Sequence, residues 1–277
     1  MIKIYINRFF HNRLAIFSSI CILILIFIAI FSNIISPYEP NRQNLVQRLL
    51  PPTKQFIMGT DDLGRDVFSR IIYGSRVSLT VGAVAVGISM FIGIILGLVS
   101  GYYGGIIDSI IMRLVDIMLC FPTFFLILMV IAFLEPNIYN VMIVIGLTSW
   151  PGITRLIRGE VLSIRERDYI QLAKISGISD LRIMFVHILP NVIGPIVVNT
   201  TLGIGSAILA ESALSFLGLG VQPPTPSWGN ILTTGKDYIH IAWWLSVFPG
   251  IMIFFTVLCF NLLGEGLRDI FDPRTSG

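Results

Sequence analysis

Charge is scarce in this chain. Only 13% of its 277 residues are Asp, Glu, Lys or Arg, about half the ~25% of an ordinary soluble domain. That argues against a soluble enzyme and against a disordered chain. Cysteine is nearly absent: Cys21, Cys120 and Cys259 each lie in an apolar stretch. An odd, scattered set makes no disulfide framework and reads as small packing residues. The three histidines, His11, His187 and His240, are far apart. No His-Glu-x-x-His and no paired-cysteine spacing occurs, so no metal site is expected. There is no Gly-x-Ser-x-Gly and no histidine matched to a nucleophile. The phosphate-loop template also fails. Its nearest approach, Gly229…Gly235-Lys236-Asp237, has one residue too many and an Asp where the hydroxyl belongs. Dense basic stretches with interleaved aromatics are missing outside the apolar blocks, which excludes nucleic acid as a partner.

What is abundant is apolar sequence, 55% of residues, with mean hydropathy +0.84. It is gathered into blocks that match the ~20 residues needed to cross a bilayer. Stretches free of Asp, Glu, Lys and Arg are Leu14–Tyr38, Val77–Ile107, Ile117–Leu134, Pro136–Thr154, Ile183–Ala210 and Tyr238–Gly264. Six spans are therefore expected, in an all-α polytopic membrane protein. Ser212–Gly235 is also uncharged but is broken by prolines, and reads as a loop with a short helix. The blocks are too long and too uniformly apolar for barrel strands. The first is longer than a signal-peptide core and is followed by no small-x-small site, so it reads as an uncleaved span.

Six spans put both termini on one side. With that side cytoplasmic, twelve Lys/Arg lie inside and seven outside, as the positive-inside rule prefers. The chain divides into 1–76, the first span with an external loop, and 77–277, a five-helix core with a cytoplasmic loop at about 160–190.

That loop is patterned. Leu181, Met184, Phe185 and Ile188 fall at helical spacing, Gly177 breaks the pattern before them, and Ser179 suits an N-cap. Helix, turn, helix is expected, with an apolar face and a basic face of Arg165, Arg167 and Lys174. Elsewhere, Gly93, Gly97, Gly101 and Gly105 recur every four residues and mark a helix-packing groove, within the chain or with another. Pro122, Pro151, Pro195 and Pro249 are expected to kink or break helices. Asp61, Asp62 and Asp66 read as a solvated turn with local Asp/Arg pairing. Asn199-Thr200-Thr201 fits a glycosylation sequon but lies inside a span, where hydrogen bonds across helices or a path lining are expected. Glu211 is read as an interfacial acid at a span end.

The loop reads Gln171-Leu172-Ala173-x3-Gly177-x9-His187-Ile188-Leu189-Pro190-Asn191. It resembles the EAA loop of ABC-importer permeases, Glu-Ala-Ala-x3-Gly-x9-Ile-x-Leu-Pro. Ala173, Gly177, Leu189 and Pro190 match in register, whereas Gln171, Leu172 and His187 depart from the pattern. Met58–Arg70, Leu214–Gly229 and Asn261–Arg274 resemble three further signatures of the peptide/nickel branch, so the resemblance covers nearly the whole chain. The chain is similar to the C-type permease of dipeptide/oligopeptide/nickel importers, with the bundle of a type I permease.

This resemblance implies a transport subunit without enzymatic activity, in the cytoplasmic membrane of a prokaryote, carrying di- or oligopeptides or nickel chelates. It implies no cofactor on this chain, ATP and magnesium being held by partner ATPases. The partners implied are membrane lipid, a homologous B-type permease, two P-loop ATPases and an external substrate-binding protein. The segment from Arg165 to Pro190 is the implied coupling element. The rival reading from another class, a stand-alone channel or ion-coupled carrier, requires intramembrane acids or histidines. Spans two to six are nearly free of them.

Overall fold

The computed structural model describes residues 8–271. Among these residues no strand forms, and the architecture is a helical bundle. Its elements are α1 Arg13–Ile30, α2 Val67–Tyr103, α3 Gly105–Leu119, α4 Thr123–Ala132, α5 Ile138–Arg165, α6 Asp168–Ile175, α7 Ile193–Phe216, α8 Trp228–Asp237 and α9 Trp244–Phe271. Shorter turns lie at Ser32–Ile35, Leu45–Gln47 and across Asp180–Asn191. Helices prevail because lipid offers no partner for backbone N–H and C=O groups, and a helix satisfies them within one segment.

Five helices, α1, α2, α5, α7 and α9, are long and apolar enough to cross a membrane. The expected third span, Ile117–Leu134, is not one straight helix. α3 and α4 meet at 81°, because Pro122 carries no N–H and restricts the residue before it. With 10 residues, α4 is about 15 Å long at 1.5 Å per residue, half the ~30 Å of a hydrocarbon core. Counted as one broken span, the bent pair is a sixth candidate crossing. Pro151 and Pro249 instead sit inside uninterrupted helices, and Pro195 lies in the first turn of α7, where no donor is lost.

α2 has 37 residues and extends about 55 Å, so it stands well clear of a bilayer. The division expected at Arg76/Val77 falls inside it. The fifth span also starts later than expected: Ile183–Asn191 belongs to the preceding loop, and the span is α7.

Arg8 Nη1 donates to Ile270 O at 3.3 Å, and Gly266 packs on Ala15, so the start of α1 and the end of α9 lie together. This end is called proximal. The opposite, distal end holds residues 37–66 and the loop carrying α8. There Trp228, fully buried, donates its indole N–H to Ile71 O at 3.1 Å, and Trp244 donates to Thr60 O at 3.1 Å. α8 starts with a capping box in which Ser227 and Asn230 satisfy each other's backbone N–H.

In the acidic cluster at this end Asp61 and Asp66 are buried rather than solvated, and Asp62 is half-buried. Asp61 is 2% exposed, accepts from the backbone N–H of Leu63 and Arg65 at 2.9 Å, and takes Arg65 Nε at 2.6 Å. Arg70 Nε approaches the same carboxylate at 3.6 Å. Asp66 caps α2 by accepting from Ser69 N at 2.8 Å. The local Asp/Arg pairing is as expected. The exposure is not, because residues 37–58 wrap over the turn. Glu211 is likewise fully buried rather than interfacial. Its partners are hydroxyls, Ser215 Oγ at 2.7 Å and Ser212 Oγ at 3.4 Å. Ser215 in turn accepts from Val221 N at 3.0 Å, tying the distal loop to α7.

Candidate functional site

The proximal end carries the patterned loop, and its position is set by the packing of α2 on α5. Gly93, Gly97 and Gly101 face α5. A Cβ on each would lie 2.6–2.7 Å from Ile153, Ile157 or Val161. The groove thus receives a helix of this chain, and the close approach needs glycine because any side chain would hold the helices apart. Gly105 does not belong to it: it starts α3 at φ +55°, and a Cβ there would meet nothing. Beside the groove, Arg158 Nε and Nη2 clamp Asp108 of α3 at 2.6 Å each, and Ser100 donates to the same carboxylate.

α5 carries this register past the groove to Arg165. Arg165 Nη1 donates to the last carbonyls of α2, Gly101 O at 3.0 Å and Tyr102 O at 3.3 Å. Gln171 Nε2 donates to Arg165 O at 3.0 Å, fixing α6 to the end of α5. Lys174 Nζ lies 4.8 Å above the Tyr102 ring, and the Tyr102 hydroxyl donates to Asp180 Oδ1 at 2.6 Å. Of the three expected surface cations, Arg165 and Lys174 are thus engaged within the chain, whereas Arg167 is exposed. Tyr102, Asp180 and the Asp108–Arg158 clamp were not singled out from sequence. The one hint was their polarity beside the end of an apolar run.

The turn after α6 requires Gly177. Its φ is +75°, open to glycine and strained for residues with a Cβ, although no atom lies within reach of one. The second helix departs from the expected spacing. Residues Ile183–Ile188 form a π-helical turn, and Leu189 N donates to Met184 O five residues back. This wider turn buries Ile183, Met184 and Ile188 together against Leu98, Ile157, Val161, Ile170 and Ala173. Leu181 and Phe185, expected on one apolar face with Met184 and Ile188, instead point outward at 65% and 49% exposure. The element ends at Leu189-Pro190-Asn191, where Asn191 Nδ2 donates to His187 O at 2.7 Å.

Its outer face is apolar. Leu172, Ile175, Leu181, Phe185 and Val186 are all exposed, Ile175 by 83%. Five exposed large apolar side chains on one loop at the end of the bundle make it a candidate interaction surface.

The second concave feature lies deeper. A cavity of about 460 Å³ sits between α2, α4, α5 and α7. Its polar side chains are Ser89, Thr123, Ser149, Asn199 and Ser206, and no ionisable residue lines it. Asn199 is the sequon residue. It lines the cavity and bonds to Pro195 O of its own helix at 3.0 Å, as Thr200 bonds to Ile196 O at 2.8 Å, so neither reaches across to another helix.

Comparison with known proteins joins these features. Residues 93–277 match the family profile described as "Binding-protein-dependent transport system inner membrane component", and residues 2–52 match "N-terminal TM domain of oligopeptide transport permease C". The chain is 43% identical over 279 residues to the di/tripeptide transport system permease protein DppC of Pseudomonas aeruginosa, covering 99% of this chain and 92% of that one. It is 44% identical to the dipeptide transport system permease protein DppC of Haemophilus influenzae, over 96% of this chain and 92% of that one. Identity to the protein of that name from Alkalihalophilus pseudofirmus is 46%, over 95% and 86%. The chain therefore belongs to the inner-membrane components of binding-protein-dependent transport systems, and within them to the C-type permeases of peptide ABC importers.

Proposed function

We propose that this multi-pass chain conducts di- and tripeptides inward as one of two homologous permeases, with ATP hydrolysed on two partner P-loop ATPases and solute delivered by an external binding protein. The peptide cargo follows the relatives named above. Nickel, the other cargo of the resembling branch, is not carried forward, because those relatives name peptides. The proximal end is cytoplasmic in this reading, in line with the Lys/Arg bias of twelve to seven.

The observation that carries the reading is the two-sided build of the proximal element. Its inner side is locked to α2 and α5 by Tyr102–Asp180, by Arg165 and by Ile183, Met184 and Ile188. Its outer side presents Leu172, Ile175, Leu181, Phe185 and Val186. A body seated on an ATPase by one face and fused to two spans by the other transmits closure of the ATPases to the path. Arg167 and Arg182, both exposed, are placed to meet acids on that partner. In this scheme α1 and the segment 31–66 form a first-span unit, and α2 to α9 form the moving core.

The test is a mild-detergent pull-down of the tagged chain from its own membrane. A second six-span permease and P-loop ATPases are expected in the eluate. Phe185→Glu combined with Leu172→Glu is expected to lose the ATPases while keeping the second permease. Recovery of the wild-type chain alone, under conditions that preserve related complexes, would instead favour a stand-alone channel or carrier.

A further inference from the structure

The cavity between α2, α4, α5 and α7 has a chemistry of its own. Its volume of about 460 Å³ falls within the ~300–1,000 Å³ of small-molecule sites. Charged residues are kept out of its wall. The polar groups present are already half used: Ser89 Oγ donates to Val86 O at 3.0 Å, Ser149 Oγ to Ile145 O at 2.7 Å, and Ser206 Oγ to Leu202 O at 3.1 Å. A serine hydroxyl has one proton and two lone pairs. Each of these serines has given its proton to its own helix and has acceptor capacity left. Asn199, with one N–H on Pro195 O, has its carbonyl oxygen and a second N–H left over. Thr123 adds a hydroxyl at the start of α4. The wall is thus neutral and weighted towards acceptors, amid apolar side chains such as Met90, Phe124 and Ile153.

Resting on the reading of this chain as a peptide permease, we propose that this cavity is the solute site this chain contributes. It holds a short peptide by the N–H groups of its backbone and is indifferent to the charge of the peptide's side chains. All short peptides share backbone N–H donors, which suit leftover hydroxyl and amide oxygens. Their side chains differ in sign, and a wall holding a fixed carboxylate or ammonium in a low-dielectric site would reject one sign strongly. A neutral wall passes both.

Gly152 gives a clean test. It lines the cavity, and a Cβ built on it meets nothing within 4 Å. A side chain there enters free space, and helix propensity favours almost any replacement over glycine. The complete transporter with its binding protein is reconstituted in vesicles, and uptake of glycylglutamate and glycyllysine is measured. The acidic-to-basic ratio of each variant is divided by the wild-type ratio, which cancels the selectivity of the binding protein. Gly152→Asp is expected to lower that quotient about tenfold and Gly152→Lys to raise it about tenfold, as like charges within several ångströms predict. Gly152→Asn is expected to leave it near one. Ser206→Asp, on the α7 wall, repeats the test should Gly152 variants assemble poorly. Quotients near one for all charged variants that still take up peptide would overturn the proposal and leave the permease reading standing. Failure of the wild-type complex to take up either dipeptide would remove the permease reading itself, and this proposal with it.

Discussion

The Tyr102 hydroxyl donates to Asp180 Oδ1 at 2.6 Å, across 78 residues of sequence. The bond joins the last turn of α2 to the start of the Asp180–Asn191 element of the proximal loop. It is the shortest polar tie between a membrane-crossing helix and the exposed apolar face of the proximal element. A neutral donor on a carboxylate is among the stronger hydrogen bonds.

Tyr102→Phe removes that bond and keeps the ring that packs under Lys174. Asp180 is exposed, so water replaces the lost donor and the stability cost stays near the low end of about 0.5–1.5 kcal/mol. The expected outcome is normal membrane abundance and continued ATP hydrolysis by the assembled complex, with several-fold less peptide taken up per ATP. Unchanged uptake per ATP would show that the tie carries no motion.

Gly177→Pro is expected to abolish uptake while the chain stays in the membrane. Proline fixes φ near −65°, and the turn needs +75°. Gly177→Asn, which tolerates left-handed backbone, is expected to retain more uptake than Gly177→Val. Since no atom crowds the site, side-chain volume alone is not expected to rank the variants. Peptide uptake in whole cells, normalised to immunoblot signal, checks both points.

Gly97→Ala puts a Cβ 2.7 Å from the Ile157 side chain. The helices must separate, at about 1–3 kcal/mol for overpacking. Less folded protein and a lower thermal midpoint in detergent are expected. Ile157→Ala in the same chain is not expected to rescue it, because the contact at 2.7 Å is to Ile157 Cβ, which alanine keeps, and Thr154 O lies at 2.9 Å beside it. Gly87→Ala, where a Cβ meets nothing, is expected to be neutral or mildly stabilising. Equal loss in Gly87→Ala and Gly97→Ala would refute the close-approach account.

Asp61→Ala leaves Arg65 and Arg70, 5% and 3% exposed, without the carboxylate they share. Breaking a buried charge pair by removing one partner costs about 3–5 kcal/mol. Faster proteolysis within residues 37–66 and a lower melting midpoint are expected. Glu39→Gln, on the exposed surface of the same loop, is expected to stay within about 0.5 kcal/mol of wild type. Similar melting of the two variants would mean that the ion cluster does not hold the loop.

The all-helical, multi-span architecture and the position of the patterned loop could be read along the chain, because the forces behind them are local. A span is declared by its own apolar length, and Pro122 breaks a helix through its own missing N–H. Gly177 bears its positive φ by its own lack of a Cβ. Which residues of the loop face inward could not be read in this way. The 3.6-residue period put Leu181 and Phe185 on one apolar face with Met184 and Ile188. The π-helical turn separates them, because Ile183, Met184 and Ile188 all find partners on α2 and α5 that sequence spacing does not contain.

The same holds for charge. Sequence showed Asp61, Glu211, Arg165 and Lys174 as ionisable groups without saying what covers them. Burial and pairing are properties of neighbours tens to hundreds of positions away: residues 37–58 over Asp61, the distal loop over Glu211, and the end of α2 beneath Arg165 and Lys174. The order of residues alone locates the apolar segments that can cross a membrane and the patterned loop at the proximal end. Which faces are left over, an apolar one outside the bundle and a neutral, acceptor-weighted one within it, follows from packing, because both are made by helices that meet in space and not in sequence.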